Sequence, residues 1–137
     1  MKKVIINTDG TAEPNPGAAA IGAIIRDEQG KVIATISQSI GRATSNQAEY
    51  RAVITALETA IRLGAKQVDL RSDSELVVRQ LNRQYRVKAA ALKPLYQQVK
   101  QLLGQLGGFT ITHIPRQQNR EADNLANIAL KQSGTTP

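Results

Sequence analysis

The chain has 137 residues and carries 18 Lys and Arg against 11 Asp and Glu, a formal net charge of +7. Without cysteine there is no disulfide scaffold, thiolate zinc site or thiol nucleophile, and His113 as the sole histidine excludes a multi-histidine metal site. Tyr50, Tyr85, Tyr96 and Phe109 are the only aromatics, too few for a platform that stacks single-stranded bases.

A chain of this length suits one domain and buries roughly 68–70% of its unfolded surface. Its core must come from Ile, Val, Leu and Ala. Lys3 to Thr8 reads as a first strand that ends at Asp9-Gly10, after which Pro14, Pro16 and Gly17 break the chain. Ala19–Arg26 and Lys31–Ile40 are β-branched runs around the turn Asp27-Glu28-Gln29-Gly30, which predicts a hairpin. Val53, Ala56, Leu57, Ala60 and Ile61 then recur at helical spacing, in a helix starting near Asn46 with Glu49 three residues on and stopping at Gly64. Gln67–Arg71 is a fourth strand. Short helices follow from about Ser74 and from about Leu92, where Pro94 fits a first turn. Phe109–Ile114 is a fifth strand, Pro115–Gln118 a loop, and Asn119 to Lys131 a last helix with Leu125, Ile128 and Ala129 on its apolar side.

The order βββαβααβα predicts an antiparallel meander followed by parallel strands joined by helical crossovers, hence a mixed five-stranded α/β sheet with helices on its faces. Residues 1–132 form the expected single domain and 133–137 a loose tail. The N-terminus lacks the apolar run of a signal peptide, and no stretch approaches a membrane span, so a cytoplasmic protein without a membrane partner is expected.

The charges are unevenly placed. Between Glu75 and Glu121 there is no acid but eight cations, six of them from Arg79 to Lys100. Such a block is either a solvated helix face or a surface for a polyanion. Without a large apolar face beside it, a nucleic-acid backbone fits better than a membrane.

The acids sit at telling places. Asp9 and Asp73 end the first and fourth strands, and parallel neighbours would bring those ends about 4.8 Å apart. Glu49 and Asp123 lie near the starts of the first and last helices. Each has a purely structural reading, as turn residue, helix cap or dipole partner. Converging, however, they would repel unless a proton or cation lay among them, and oxygen-only ligands select Mg²⁺ or Mn²⁺. Two such ions roughly 3.5–4 Å apart can activate a water and stabilise a leaving oxygen.

Four segments resemble the motifs of the type 1 ribonuclease H family. They are Asp9-Gly10-Thr11 with Asn15-Pro16-Gly17, Thr44-Ser45-Asn46-Gln47-Ala48-Glu49, Ser72-Asp73-Ser74, and Arg116 to Ala126. The likeness spans Val4 to about Ala129 and implies the ribonuclease H-like fold, with sheet order 3-2-1-4-5 and strand 2 antiparallel. It also implies an endonuclease that hydrolyses the RNA strand of RNA/DNA hybrids, leaving 5′-phosphate and 3′-hydroxyl ends, without sequence specificity. Asp9, Glu49, Asp73 and Asp123 would be the catalytic, metal-binding carboxylates, holding two Mg²⁺ (or Mn²⁺) ions with substrate bound. Gly10, Asn15, Thr44 and Asn46 would contact the substrate backbone. A monomer is expected, with double-stranded RNA open as a second substrate.

Three departures from the family pattern stand out. The loop histidine of many members is missing; His113 lies on a strand, and Arg116 is the candidate to take over a phosphate or leaving oxyanion. The stretch before Leu92 is too short for the extra basic helix of some relatives, which places the chain nearer the compact, handle-free branch. Glu75 replaces a substrate-contacting glutamine. Integrase-like or resolvase-like nucleases, a non-catalytic nucleic-acid module and a polysaccharide hydrolase are the other readings. The Asp-Gly…Asn-Pro-Gly opening, the presence of all four acids and the basic charge respectively disfavour them.

Overall fold

The computed structural model describes residues 3–134. The elements are β1 (Lys3–Glu13), β2 (Gly17–Asp27), β3 (Val32–Ala43), α1 (Ser45–Arg62), β4 (Gln67–Ser72), α2 (Glu75–Leu81), α3 (Lys93–Leu103), β5 (Gly108–His113) and α4 (Arg120–Gly134), with a single 3-10 turn at Arg116–Asn119. They build a five-stranded sheet in the order β3-β2-β1-β4-β5. β2 runs antiparallel to both its neighbours, whereas β4 is parallel to β1 and to β5. The order and directions agree with those expected from the sequence. No described helix is long and apolar enough to cross a membrane.

β2 reads Gly-Ala-Ala-Ala-Ile-Gly-Ala-Ile-Ile and is buried on both faces along most of its length, because helices cover both. α1 lies across β1 and β2 on one side, with α2 and α3 packed into the same core; α4 covers β2, β3 and β1 on the other. Both helices meet the sheet through small side chains. Ala48, Ala52, Ala56 and Ala60, one turn apart on α1, are fully buried, and so are Ala122 and Ala126 on α4. Two glycines complete these contacts. A Cβ on Gly10 would lie 2.2 Å from the Ala48 carbonyl carbon, and one on Gly22 would lie 2.2 Å from the Ala122 carbonyl oxygen. Ile, Val and Leu fill the remaining core, including Val4, Ile6, Ile25, Leu57, Leu70 and Val99.

Several boundaries differ from the sequence pattern for identifiable reasons. β1 does not stop at Thr8. Its parallel pairing with β4 ends at Thr8↔Ser72, but its antiparallel pairing with β2 continues from Asp9↔Gly22 to Glu13↔Ala18. α1 starts before Asn46. Thr44 is the cap, its hydroxyl accepting from the Gln47 N–H at 3.1 Å while the Gln47 side-chain Oε1 accepts from the Thr44 N–H at 2.8 Å. Glu49 therefore caps nothing and sits in the second turn. α4 turns a different face inward from the one its large residues suggest: Ala122, Ala126 and Ala129 are buried, while Ile128 is 50% exposed. The close approach at Gly22 admits only small side chains there. The 3-10 turn occupies most of the expected loop before α4, which itself runs to Gly134. The last three residues of the expected tail lie outside the described residues.

Residues 82–92, between α2 and α3, contain no helix, so the extra basic helix absent from the sequence is absent here too.

Substituting the two kinds of glycine separates close approach from simple flexibility. Gly22→Ala forces backbone apart and should cost about 1–3 kcal/mol, lowering Tm by roughly 2–4 °C for each kcal/mol. Gly104→Ala meets only ordinary contacts at 3.4 Å or more, in right-handed helical backbone, and should leave Tm level or slightly higher. Calorimetry showing equal losses for both variants would contradict the close-packing explanation.

Candidate metal centre and nucleic-acid face

The last rung of the β1/β4 parallel pairing is Thr8↔Ser72, so Asp9 and Asp73 are the next residues on adjacent chains. Glu49 joins them from α1, which Gly10 lets approach; the Gly10 N–H donates to Glu49 Oε1 at 2.8 Å. Asp9, Glu49 and Asp73 each offer a carboxylate oxygen, and these atoms lie within 4.8 Å of one another. Strand pairing positions two of the acids and a side-chain-free contact positions the third.

Asp123 lies in the first turn of α4, half-buried, outside that 4.8 Å group but electrostatically coupled to each of its members. Asn127 Nδ2 donates to its Oδ2 at 3.4 Å, and Arg116 Nη2 stands 4.0 Å from its Oδ1. With Gln117 and Arg120, Arg116 and Asp123 line an open cavity of about 370 Å³.

The centre is strained electrostatically. Burial, then the charges of Asp73 and Asp123, push the Asp9 carboxyl up to about 8. Glu49 is pushed up by burial and by Asp9 and Asp73, against the favourable Gly10 N–H, and Asp73 by burial and by Asp123. Arg116 is the cation that relieves Asp9 and Asp73. Half-buried or buried carboxylates this close are held ionised by a positive charge among them, and three hard oxygen donors fit a divalent cation of the Mg²⁺ or Mn²⁺ kind. The residues present fit the metal that the motifs imply.

The residues expected to touch substrate fall beside α1. Asn15, in the β1–β2 turn, accepts from the Ser45 N–H through its Oδ1 at 3.0 Å, which ties that turn to the helix start. Thr44 caps the helix and exposed Asn46 lies in its first turn, so these residues share one face at the start of an 18-residue helix, where Asn15 and Thr44 already hold the Ser45 and Gln47 N–H groups. Gly10 is buried beneath α1. His113 is exposed at the end of β5, paired in register with Ser72. Glu75 pairs with Arg79 at 3.1 Å.

Asn119 is absent from the residues picked out by sequence. It is 1% exposed, and its side-chain amide bonds β1 twice, at the Thr8 carbonyl and at Asn7, beside the site. A polar residue four positions before Asp123 was the signal, but the sequence pattern marks it only as the start of a helix.

A mixed sheet in this order, with carboxylates gathered where its two central parallel strands end, defines the ribonuclease H-like class. Residues 7–129 match the reverse transcriptase-like family model. The chain is 42% identical over 122 residues to ribonuclease HI of Halobacterium salinarum, covering 89% of this chain and 61% of that protein. It is 41% identical over 129 residues to the bifunctional protein Rv2228c of Mycobacterium tuberculosis, covering 93% of this chain and 35% of that one. This chain thus spans about a third of the mycobacterial relative. Among solved structures, the Halobacterium salinarum enzyme superposes with a TM-score of 0.93 at 40% identity, covering 95% of this chain and 98% of that one. LC11-RNase H1, solved in complex with RNA/DNA hybrid, superposes at 0.92 with 39% identity, covering 96% and 99%. The chain belongs to the type 1 ribonuclease H family.

Asp9 has a measurable signature in the metal-free protein. Its folded-state pKa of about 8 lies above the unfolded value of about 3.9, so between the two the folded state binds the proton more tightly. Stability therefore falls as pH rises through that window. Tm of the metal-free protein should drop between about pH 5 and about pH 8.5, and Asp9→Asn should flatten the profile and give the higher Tm at the alkaline end. Parallel profiles for the two proteins would contradict the repulsion described.

Proposed function

We propose that this chain is a divalent-metal-dependent endonuclease that hydrolyses the RNA strand of RNA/DNA hybrids and leaves 5′-phosphate and 3′-hydroxyl ends. The convergence of Asp9, Glu49 and Asp73 within 4.8 Å, in a chain of net charge +7, carries this reading. The hybrid bound to LC11-RNase H1 supports the substrate class. Residues 1–132 act as one catalytic domain.

Asp9, Glu49, Asp73 and Asp123 would hold two Mg²⁺ ions with substrate bound, with Mn²⁺ able to substitute. Bound there, divalent cations supply Lewis acidity and a water of lowered pKa. The protein's own groups do the rest. The N-terminus of α1, with Asn15, Thr44 and Asn46, takes backbone phosphates through N–H and side-chain donors. Gly10 serves this face from beneath, by letting α1 and Glu49 approach the strand. Arg116, 80% exposed at the mouth of the site, meets the phosphate or the departing oxyanion in place of a histidine. The cations from Arg79 to Lys100 hold the duplex by its charge, without reading bases. The 2′-hydroxyl distinguishes RNA from DNA, and the wide minor groove of an A-like duplex exposes it.

The decisive experiment offers labelled RNA/DNA hybrid, double-stranded RNA, double-stranded DNA and single-stranded RNA to wild type and Asp9→Asn, with Mg²⁺, Mn²⁺ or EDTA. Cutting confined to the RNA strand of the hybrid, lost in EDTA and in Asp9→Asn, is expected. Equal activity of the variant would remove the metal-centred mechanism. Arg116→Ala should lower kcat by roughly a hundredfold, the modest end for a group that acts on a developing oxyanion; unchanged rate and affinity would exclude its role.

Reversing Arg83 and Arg86 to Glu should weaken hybrid binding and flatten its salt dependence. The slope of log K against log salt should fall by about 0.9 for each phosphate that the protein no longer neutralises. An unchanged slope would show that this surface does not touch the duplex.

A further inference from the structure

The stretch carrying Arg116 is pinned at both ends to one rung of the sheet. The Ile114 N–H donates to the Ser72 carbonyl at 3.0 Å, and Asn119 Nδ2 donates to the Thr8 carbonyl at 2.8 Å. Thr8 and Ser72 are register partners and the residues immediately before Asp9 and Asp73. Between the two anchors lie Pro115 and the 3-10 turn Arg116–Asn119; α4 begins at the next residue, with Asp123 in its first turn.

The polarity of the second anchor is fixed. A main-chain carbonyl only accepts, so the group facing Thr8 is the amide nitrogen of Asn119 and its Oδ1 faces the other way. That oxygen accepts from Asn7 Nδ2 at 3.1 Å, and Asn7 projects from β1 on the same face as Asp9. With 1% exposure, Asn119 is enclosed in the fold, and both ends of its side-chain amide bond β1, the nitrogen at Thr8 and the oxygen at Asn7. A side chain serving only as a helix cap would bond the helix it starts. This one bonds the sheet.

Resting on the function proposed above, we propose that Asn119 is the positioning residue that fixes Arg116 and Asp123 against the Asp9–Asp73 pair, through paired bonds to Thr8 and Asn7. Asn119 touches neither substrate nor reacting atoms. It sets how near Asp123 stands to the three-carboxylate group and where the Arg116 guanidinium meets the leaving side. The phosphate-binding face at α1 does not depend on it, since Asn15 and Thr44 hold that face together.

The test compares wild type, Asn119→Ala and Asn7→Leu. Circular dichroism confirms folding, calorimetric titration with Mn²⁺ alone measures metal affinity, and kcat and KM are measured on hybrid. Groups that orient metal ligands typically control about 10–100-fold in metal affinity or activity. Asn119→Ala should lose that much in Mn²⁺ affinity or kcat while KM for hybrid stays within about twofold. Asn7→Leu keeps Asn119 but removes the donor that holds its oxygen, and should lose about threefold or more in the same quantities, again with KM little changed. Folded variants with wild-type Mn²⁺ affinity and kcat would overturn the proposal. If Asn119→Ala does not fold, wild-type values in Asn7→Leu overturn it equally. Failure of the wild-type protein to bind Mn²⁺ or cut hybrid would instead overturn the functional reading beneath it.

Discussion

Two helices press on opposite faces of one strand pair at neighbouring positions, and both contacts require the absence of a side chain. α1 crosses β1 at Gly10, and α4 crosses β2 at Gly22, whose register partner is Asp9. A methyl group at either position would stand 2.2 Å from helix backbone. Because the pleat sends adjacent residues to opposite faces, the pair Asp9-Gly10 serves both sides of the sheet at once. Gly10 admits α1 and with it Glu49, while the rung of Asp9 and Gly22 admits α4 and with it Asp123. The alanine stripes of the helices are the other half of the same contact. The site exists because the core packs tightly beneath it.

That packing carries an electrostatic cost. The acids are drawn together with little cationic relief, and the result is a set of carboxyls displaced upward by burial and mutual repulsion. The displacement is useful if a divalent cation is the intended occupant, since the ion then supplies the positive charge that the carboxylates need. The chain separates its charges accordingly. Four of the eleven acids gather at one end of the central strands, and the long stretch beyond Glu75 carries cations without an acid. A site acidic throughout would repel the phosphates it must meet, and Arg116 at its mouth moderates that repulsion.

Much of this was legible in the sequence because period and punctuation are local. The apolar run of β2, the helical spacing from Val53 to Ile61 and the turn at Asp27 to Gly30 specify elements without reference to distant residues. The motif-bearing acids likewise stood at ends or starts that topology brings together. What escaped depends on partners far away in the chain. Whether β1 ends at Thr8 is decided by how far β2 continues, not by β1. The cap of α1 is Thr44 because Gln47 reciprocates and Asn15 holds the Ser45 N–H. The buried face of α4 is set by Gly22, about a hundred residues earlier, which selects alanines over Ile128. Asn119 was visible as a residue, but its acceptor is a main-chain carbonyl on β1 that no side-chain pattern reveals.

The proposed chemistry depends on one placement: a divalent cation among Asp9, Glu49 and Asp73. Crystals of the wild-type protein soaked in Mn²⁺ and measured for anomalous scattering would locate it directly. An anomalous peak bonded to oxygens of all three carboxylates is the predicted result. A peak elsewhere, or none at a Mn²⁺ concentration that supports hybrid cleavage, would contradict it.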